Sequence, residues 1–134
     1  MQVYKSKYSK IAGTSYQEVV SQARKEYNHI RKQTKRQPYV RSRYYKDKVF
    51  IKLFWDHLYE KNRGDIERRL RYYDCAIDLL RNNVNQPIST ASSDKANGIS
   101  QRFIGKTTDG DIFYVQVKQN KRTGRKDFIS LFPG

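Results

Sequence analysis

Cysteine is nearly missing from this chain of 134 residues; Cys75 is the only one. A single thiol excludes an intramolecular disulfide and a cysteine-cluster zinc site, and it fits a reducing, cytoplasmic compartment. Carboxylates are scarce as well, 13 against 28 lysines and arginines. No apolar run approaches the ~18 residues of a membrane span, and the start, MQVYKSKYSK, has no apolar core of a secretory signal. No Gly-rich phosphate loop, no H-E-x-x-H and no catalytic-cysteine context occur. Asp109 and Asp111 flank a glycine and are better explained as turn residues than as paired metal-nuclease carboxylates. No metal, cofactor or membrane partner is expected.

The length points to one domain, 1–134, with a core of two packed layers. The charge balance is +15. Residues 1–48 hold 13 basic and 3 acidic side chains, leaving 15 and 10 for residues 49–134, so +10 and +5. Such a field attracts polyanions, and nucleic acid is the usual one.

Three strand-like runs end the chain. Asp109–Gly110 signals a two-residue hairpin between Arg102–Lys106 and Asp111–Lys118, where Phe113, Val115 and Val117 alternate. Lys121–Gly124 turns into Asp127–Phe132, with Phe128, Ser130 and Phe132 at period two. The expected fold is α+β: about three N-terminal helices packed on a C-terminal antiparallel meander of three to four strands, at 101–134.

Residues 1–13 read as a basic, tyrosine-punctuated segment, either a flexible arm or an edge segment of the sheet. The helical part, 14–84, opens where Ser15 and Glu18 can form a capping box. Tyr16, Val19, Val20, Ala23, Tyr27 and Ile30 then make one stripe of a helix over 15–35, ended by Pro38. Residues 38–48 interleave Tyr39, Tyr44 and Tyr45 with Arg41, Arg43 and Lys46, a pattern that suits stacked bases and neutralised phosphates but also ordinary half-buried surface. Residues 48–61 read as a central helix carrying His57, either a satisfied core or boundary histidine or a general acid at the edge of a site. A third helix, 65–82, is expected to kink near Tyr72–Tyr73, with Arg68, Arg69 and Arg71 at its start. Residues 85–100 read as a linker or long binding loop.

The tail, RFIGKTTDGDIFYVQVKQN followed by GRKDFISLFP, resembles the C-terminal sheet of phage- and mobile-element-borne nucleases of the barnase–EndoU–colicin–RelE group. KVFIKLFWDHLYEKNRGDIERRLRYYDCAIDLLRNN is similar to the helical segment before that sheet. The resemblance covers roughly residues 48–133. It implies helices followed by a sheet whose open face grips RNA, toxin-like metal-independent cleavage, and an acidic inhibitor protein of the antitoxin kind as a further partner.

Metal-free RNA cleavage needs a base for the 2′-hydroxyl, a cation for the phosphorane and an acid for the leaving oxygen. No Glu follows Glu67 and no His follows His57, so the sheet lacks the Glu/His pair of the barnase manner. The RelE manner, with cations and a tyrosine, is the closer one. Candidate catalytic residues are Arg102, Lys106, Lys118, Ser130 and Tyr114, with His57 from a helix. Candidate nucleic-acid contacts are Arg41, Arg43, Tyr44, Lys46, Arg68, Arg69, Lys121 and Arg122. A two-residue turn sets 106 opposite 113, and a four-residue loop sets 118 opposite 127. Arg102, Lys106 and Ser130 then share the face of Phe113, and Tyr114 and Lys118 take the other; a bulge would flip this. The first reading is an RNA-binding, metal-independent endoribonuclease. A non-catalytic nucleic-acid-binding module is the alternative, and a regulatory protein docking an acidic partner is a third.

Overall fold

The computed structural model describes residues 2–93 and 98–134. The architecture is α+β. In order come β1 (Tyr4–Lys5), α1 (Tyr16–Gln33), β2 (Tyr39–Ser42), β3 (Asp47–Phe50), α2 (Lys52–Leu58), α3 (Arg63–Leu70), α4 (Tyr73–Asn82), β4 (Ser89–Ser93), β5 (Gly98–Lys106), β6 (Ile112–Asn120) and β7 (Lys126–Pro133). The strands form one mixed sheet in the order β1-β5-β6-β7-β3-β2, with β4 also on β5. β1/β5 and β3/β7 pair in parallel and the other pairs are antiparallel.

The meander β5–β6–β7 stands where the sequence puts it. The expected layout of helices first and strands after does not hold, because the meander recruits β2 and β3 from the helical part on one flank and β1 and β4 from the arm and the loop on the other. β2 and β3 form a hairpin that joins β7 through Phe50 and Asp127. The helix read over 48–61 is therefore shortened to Lys52–Leu58; Val49 is fully buried as a strand residue. The arm at 1–13 is pinned too. Tyr4 and Lys5 pair with Gly105 and Lys106, Ser6 Oγ donates to the buried Asp78, and Ile11 joins the core. Ser89–Ser93 of the expected loop pairs with Gly98–Arg102; residues 94–97 of that loop lie outside the described residues.

The helices follow their sequence signals closely. Ser15 caps α1 by accepting from the Glu18 N–H, and Val19, Ala23, Tyr27 and Ile30 are its buried stripe. The expected kink becomes a break, since α3 stops at Leu70 and α4 starts at Tyr73. There are thus four helices, not three, among the described residues. No helix of these residues is long and apolar enough to cross a membrane.

All four helices cover one sheet face. Phe54 of α2 stacks on Phe128 at 4.4 Å with the rings nearly parallel, and Tyr72 lies 5.8 Å from Phe113. Phe103, Phe113, Val115, Val117, Phe128 and Leu131 supply the strand side of this core. Aromatic pairs of this kind add about 0.5–1.5 kcal/mol beyond the area they bury. Cys75 is buried, as its apolar neighbours suggest; its thiol points at the Tyr8 and Ser9 carbonyls and is pushed up to about 11 by burial.

One helix–helix seam is under electrostatic stress. Asp74 of α4 has a buried Oδ1 without a hydrogen-bond partner and faces Glu26 of α1. Burial first, and the Glu26 charge second, push its carboxyl up from 3.8 to about 6. A carboxyl raised in the folded state binds protons more tightly than in the unfolded chain. Its cost is thus absent below about pH 3.8 and complete above about pH 6.

Two outcomes are expected. Asp74→Asn should stabilise the protein at pH 8 by roughly 1 kcal/mol, a value discounted for solvent screening, and should bring no gain at pH 3.5; urea titrations at both pH values read this. Gly105 has no room for a side chain, because an added Cβ would lie 2.4 Å from the Phe113 ring. Gly105→Ala should therefore cost about 1–3 kcal/mol in the same titration.

Candidate nucleic-acid interface

The face of the sheet away from the helices is uncovered, and side-chain parity decides what it displays. On β6, Phe113, Val115 and Val117 turn to the helices and are fully buried, so Tyr114, Gln116 and Lys118 turn outward. Two local features then bring the neighbouring strands into line with this outward set.

The first is the turn between β5 and β6. The expected two-residue turn at Asp109–Gly110 is a three-residue loop, Thr108–Gly110. It is closed by Thr107 N–H to the Asp111 carbonyl at 2.9 Å and by Asp111 N–H to Thr107 Oγ1 at 3.0 Å. Gly110 has φ +93°, the left-handed backbone that glycine takes without strain. Lys106 consequently opposes Ile112 rather than 113, and Arg102 opposes Gln116. This single-residue correction moves Arg102 and Lys106 from the buried to the open face.

The second is a β-bulge. Val117 opposes Phe128 but Gln116 opposes Ser130, so Ile129 is the extra residue. Ser130 and Phe132 thereby turn outward although Phe128 turns inward. The loop at Lys121–Gly124 does have four residues, and Lys118 opposes Asp127 as expected. The separation into two clusters expected from the sequence is thus overturned. Arg102, Lys106, Tyr114, Lys118 and Ser130 share one face.

Electrostatically this face is one-sided. Asp127 bonds to Arg125 rather than to its cross-strand neighbour Lys118. Among the described residues, Arg41, Lys48, Arg102, Lys106 and Lys118 have no carboxylate partner within 4 Å. Arg102 is the most constrained. Its guanidinium lies 4.8 Å from the centre of the Phe132 ring, its Nη2 reaches Gln116 Oε1 at 3.4 Å, and its buried Nε–H has no partner. Tyr114 packs on the same Phe132 ring at 5.4 Å. Gln116 is held in turn by donating to Ser100 Oγ at 2.6 Å.

The cations are strung out along the strands. At ~3.3 Å per residue, Lys106 and Lys118 lie ~20 Å apart along the meander, and Lys106 lies ~13 Å from Arg102. They cannot converge on one phosphate. Arg102, Gln116 and Ser130 do form one row across three strands. Ser130 also lines a cleft of about 190 Å³ at the free edge of β7 with His57, Lys61 and Arg69. His57 is exposed there, so it is neither a core nor a boundary histidine.

The expected nucleic-acid contacts scatter. Arg41 lies on the open face, opposite Lys48. Arg43 and Lys46 are exposed in the β2–β3 turn, and Lys121 and Arg122 in the β6–β7 turn. Arg68 and Arg69 are bound to Asp65; Arg69 also donates to the Leu131 carbonyl and lies 5.8 Å from Phe132. Tyr44 does not fit its expected role. Its ring meets Tyr45 and Phe103 at 5.0 and 5.3 Å on the helix side, so it does not belong to the open face. The sequence reading missed Phe50 and Arg125, which lie 4.0 Å apart at the β3 end of the open face. The alternation Lys48–Val49–Phe50 is the signal that would have found Phe50 as a strand residue.

Among the described residues, no group of three or more His, Cys, Asp and Glu is placed to hold a metal ion. In comparisons with known proteins, no family model, curated protein or solved structure matches the chain.

Arg102 buries an unpartnered donor and gains little for it, which marks it as a poor structural residue. Arg102→Met keeps the packing on Phe132 and removes that donor. The urea-unfolding free energy should change by less than about 0.5 kcal/mol or rise; a loss of 2 kcal/mol would mark Arg102 as structural.

Proposed function

We propose that this protein binds single-stranded RNA across the open face of its sheet. The observation that carries the reading is Arg102, held over Phe132 with a buried Nε–H that finds no partner among the described residues. Such a group is completed by an anion. The five cations of this face without a carboxylate partner among the described residues suit a row of phosphates, and Tyr114 offers a ring to bases. Salt should weaken binding steeply, with a log–log slope of about −0.7 per phosphate neutralised.

Metal-independent cleavage in the RelE-like manner is a second reading, favoured by one observation. Arg102 and Ser130 flank Gln116 in a single row, and Ser130 opens into the cleft that His57 enters. In that reading His57 takes the 2′-hydroxyl proton and returns it to the leaving oxygen as that bond to phosphorus breaks, while Arg102 stabilises the charged phosphorane between the two steps. A cytoplasmic location and an acidic inhibitor protein belong to the same proposal.

The test is incubation with end-labelled mixed-sequence RNA in EDTA, with and without ribosomes. Retardation that Arg102→Met weakens roughly tenfold, with the RNA intact, supports binding alone. Fragments ending in cyclic phosphate that His57→Ala and Ser130→Ala reduce at least tenfold would add cleavage. RNA that binds Arg102→Met as well as the parent protein contradicts the placement on the open face.

A further inference from the structure

The open face does not end at β7. It runs into a groove of about 700 Å³ between the end of α1, the β2–β3 hairpin and the β6–β7 turn. That volume lies within the ~300–1,000 Å³ usual for small-molecule sites. Lys35, Arg36, Lys48 and Arg125 line it, and no carboxylate does. Its floor is aromatic: Tyr39 and Phe50 meet edge to face at 6.0 Å, and the Lys48 ammonium lies 4.7 Å from the centre of the Tyr39 ring. Arg125 is fixed above this floor. Its guanidinium lies 4.0 Å from the Phe50 centroid, while Nη2 donates to Gln37 Oε1 at 2.6 Å and Nε to Asp127 at 3.3 Å.

We infer that this groove is a nucleotide subsite, which takes one unstacked base and its flanking phosphates from a single-stranded RNA. The inference rests on the RNA reading above only for the rest of that strand, which crosses the open face. The base stacks on the outward side of Arg125, a platform made rigid by Phe50 beneath it and by Gln37 and Asp127 at its edges. Guanidinium planes serve bases in this way as aromatic rings do. Lys35 and Arg36, exposed where α1 has ended, neutralise the phosphates on either side. An acidic peptide would satisfy the four cations but leave the guanidinium platform and the aromatic floor unused.

Fluorescence anisotropy with a labelled twelve-nucleotide single-stranded RNA tests this, using the full chain and variants whose melting curves match the parent. Phe50→Leu keeps the volume but loses the aromatic support. It and Arg125→Gln should each bind roughly tenfold more weakly. Lys35→Gln with Arg36→Gln should bind more weakly and flatten the salt slope by about 1.4, two phosphate contacts' worth. Lys7→Gln with Lys25→Gln, an equal loss of charge away from the groove, should leave the salt slope near the parent's. Parent-like affinity of both Phe50→Leu and Arg125→Gln overturns the subsite. So does polyglutamate that displaces the RNA as effectively, per charge, as polyuridylate does. Arg102→Met separates the two proposals. If it weakens binding while the groove variants do not, the subsite fails and the open-face reading stands. If the groove variants weaken binding while Arg102→Met does not, the subsite stands and the open-face reading falls.

Discussion

The parity of β6 is the constraint on which the rest of the molecule depends. A strand shows alternate residues to its two sides, and β6 sits in the middle of the meander with no freedom to slip. Phe113, Val115 and Val117 are fully buried against the helices. Shifting the strand by one residue would put Tyr114, Gln116 and Lys118 into the core, where an unpaired ammonium and an amide would each cost several kcal/mol. With β6 fixed, Gly105 must lie under the Phe113 ring and Phe128 must lie under Phe54. The outward residues of β5 and β7 then follow from the loop length and the bulge that join these strands to β6.

Two surfaces of opposite character result. The helix side is built from aromatic rings stacked and tilted against one another, with few polar atoms left over. The open side carries arginines and lysines whose carboxylate partners are missing or engaged elsewhere. The scarcity of acids in the composition becomes geometry here, because Asp127, the carboxylate that this face carries among the described residues, is taken by Arg125. A protein that needed only solubility would gain nothing from a buried guanidinium Nε–H without a partner, which costs about 1–3 kcal/mol in desolvation.

Much of the fold was legible in the residues. The stripe from Tyr16 to Ile30 and the Ser15 cap gave α1 almost to the residue, because the cap and the stripe point to the same boundary. The three tail strands were visible because β-branched and aromatic residues alternate there. β2, β3 and β4 were hidden for two different reasons. Asp47–Phe50 is short and runs straight into a helical pattern, so periodicity alone cannot cut it off. Ser89–Ser93 has no apolar alternation at all; it is a strand only because the edge of β5 needs a partner. The candidate site was legible as a set of residues but not as a surface. A loop of three residues in place of two and one inserted Ile129 reversed the face of three candidates. Both are register effects that depend on how the strands meet, not on what any one residue prefers.

The pinned N-terminal segment has a kinetic consequence. Tyr4 and Lys5 pair with Gly105 and Lys106, about a hundred residues along the chain, and Ser6 bonds to Asp78. Contacts at such separation are slow to form because the loop they close is long. During synthesis the α1 helix can form early, but β1 has no strand to join until β5 has left the ribosome. β4 and β1 then divide the outer edge of β5 between them. Until both arrive, that edge is an open row of backbone donors and acceptors, and it is the place where a nascent chain of this sequence is most exposed to pairing with another copy of itself.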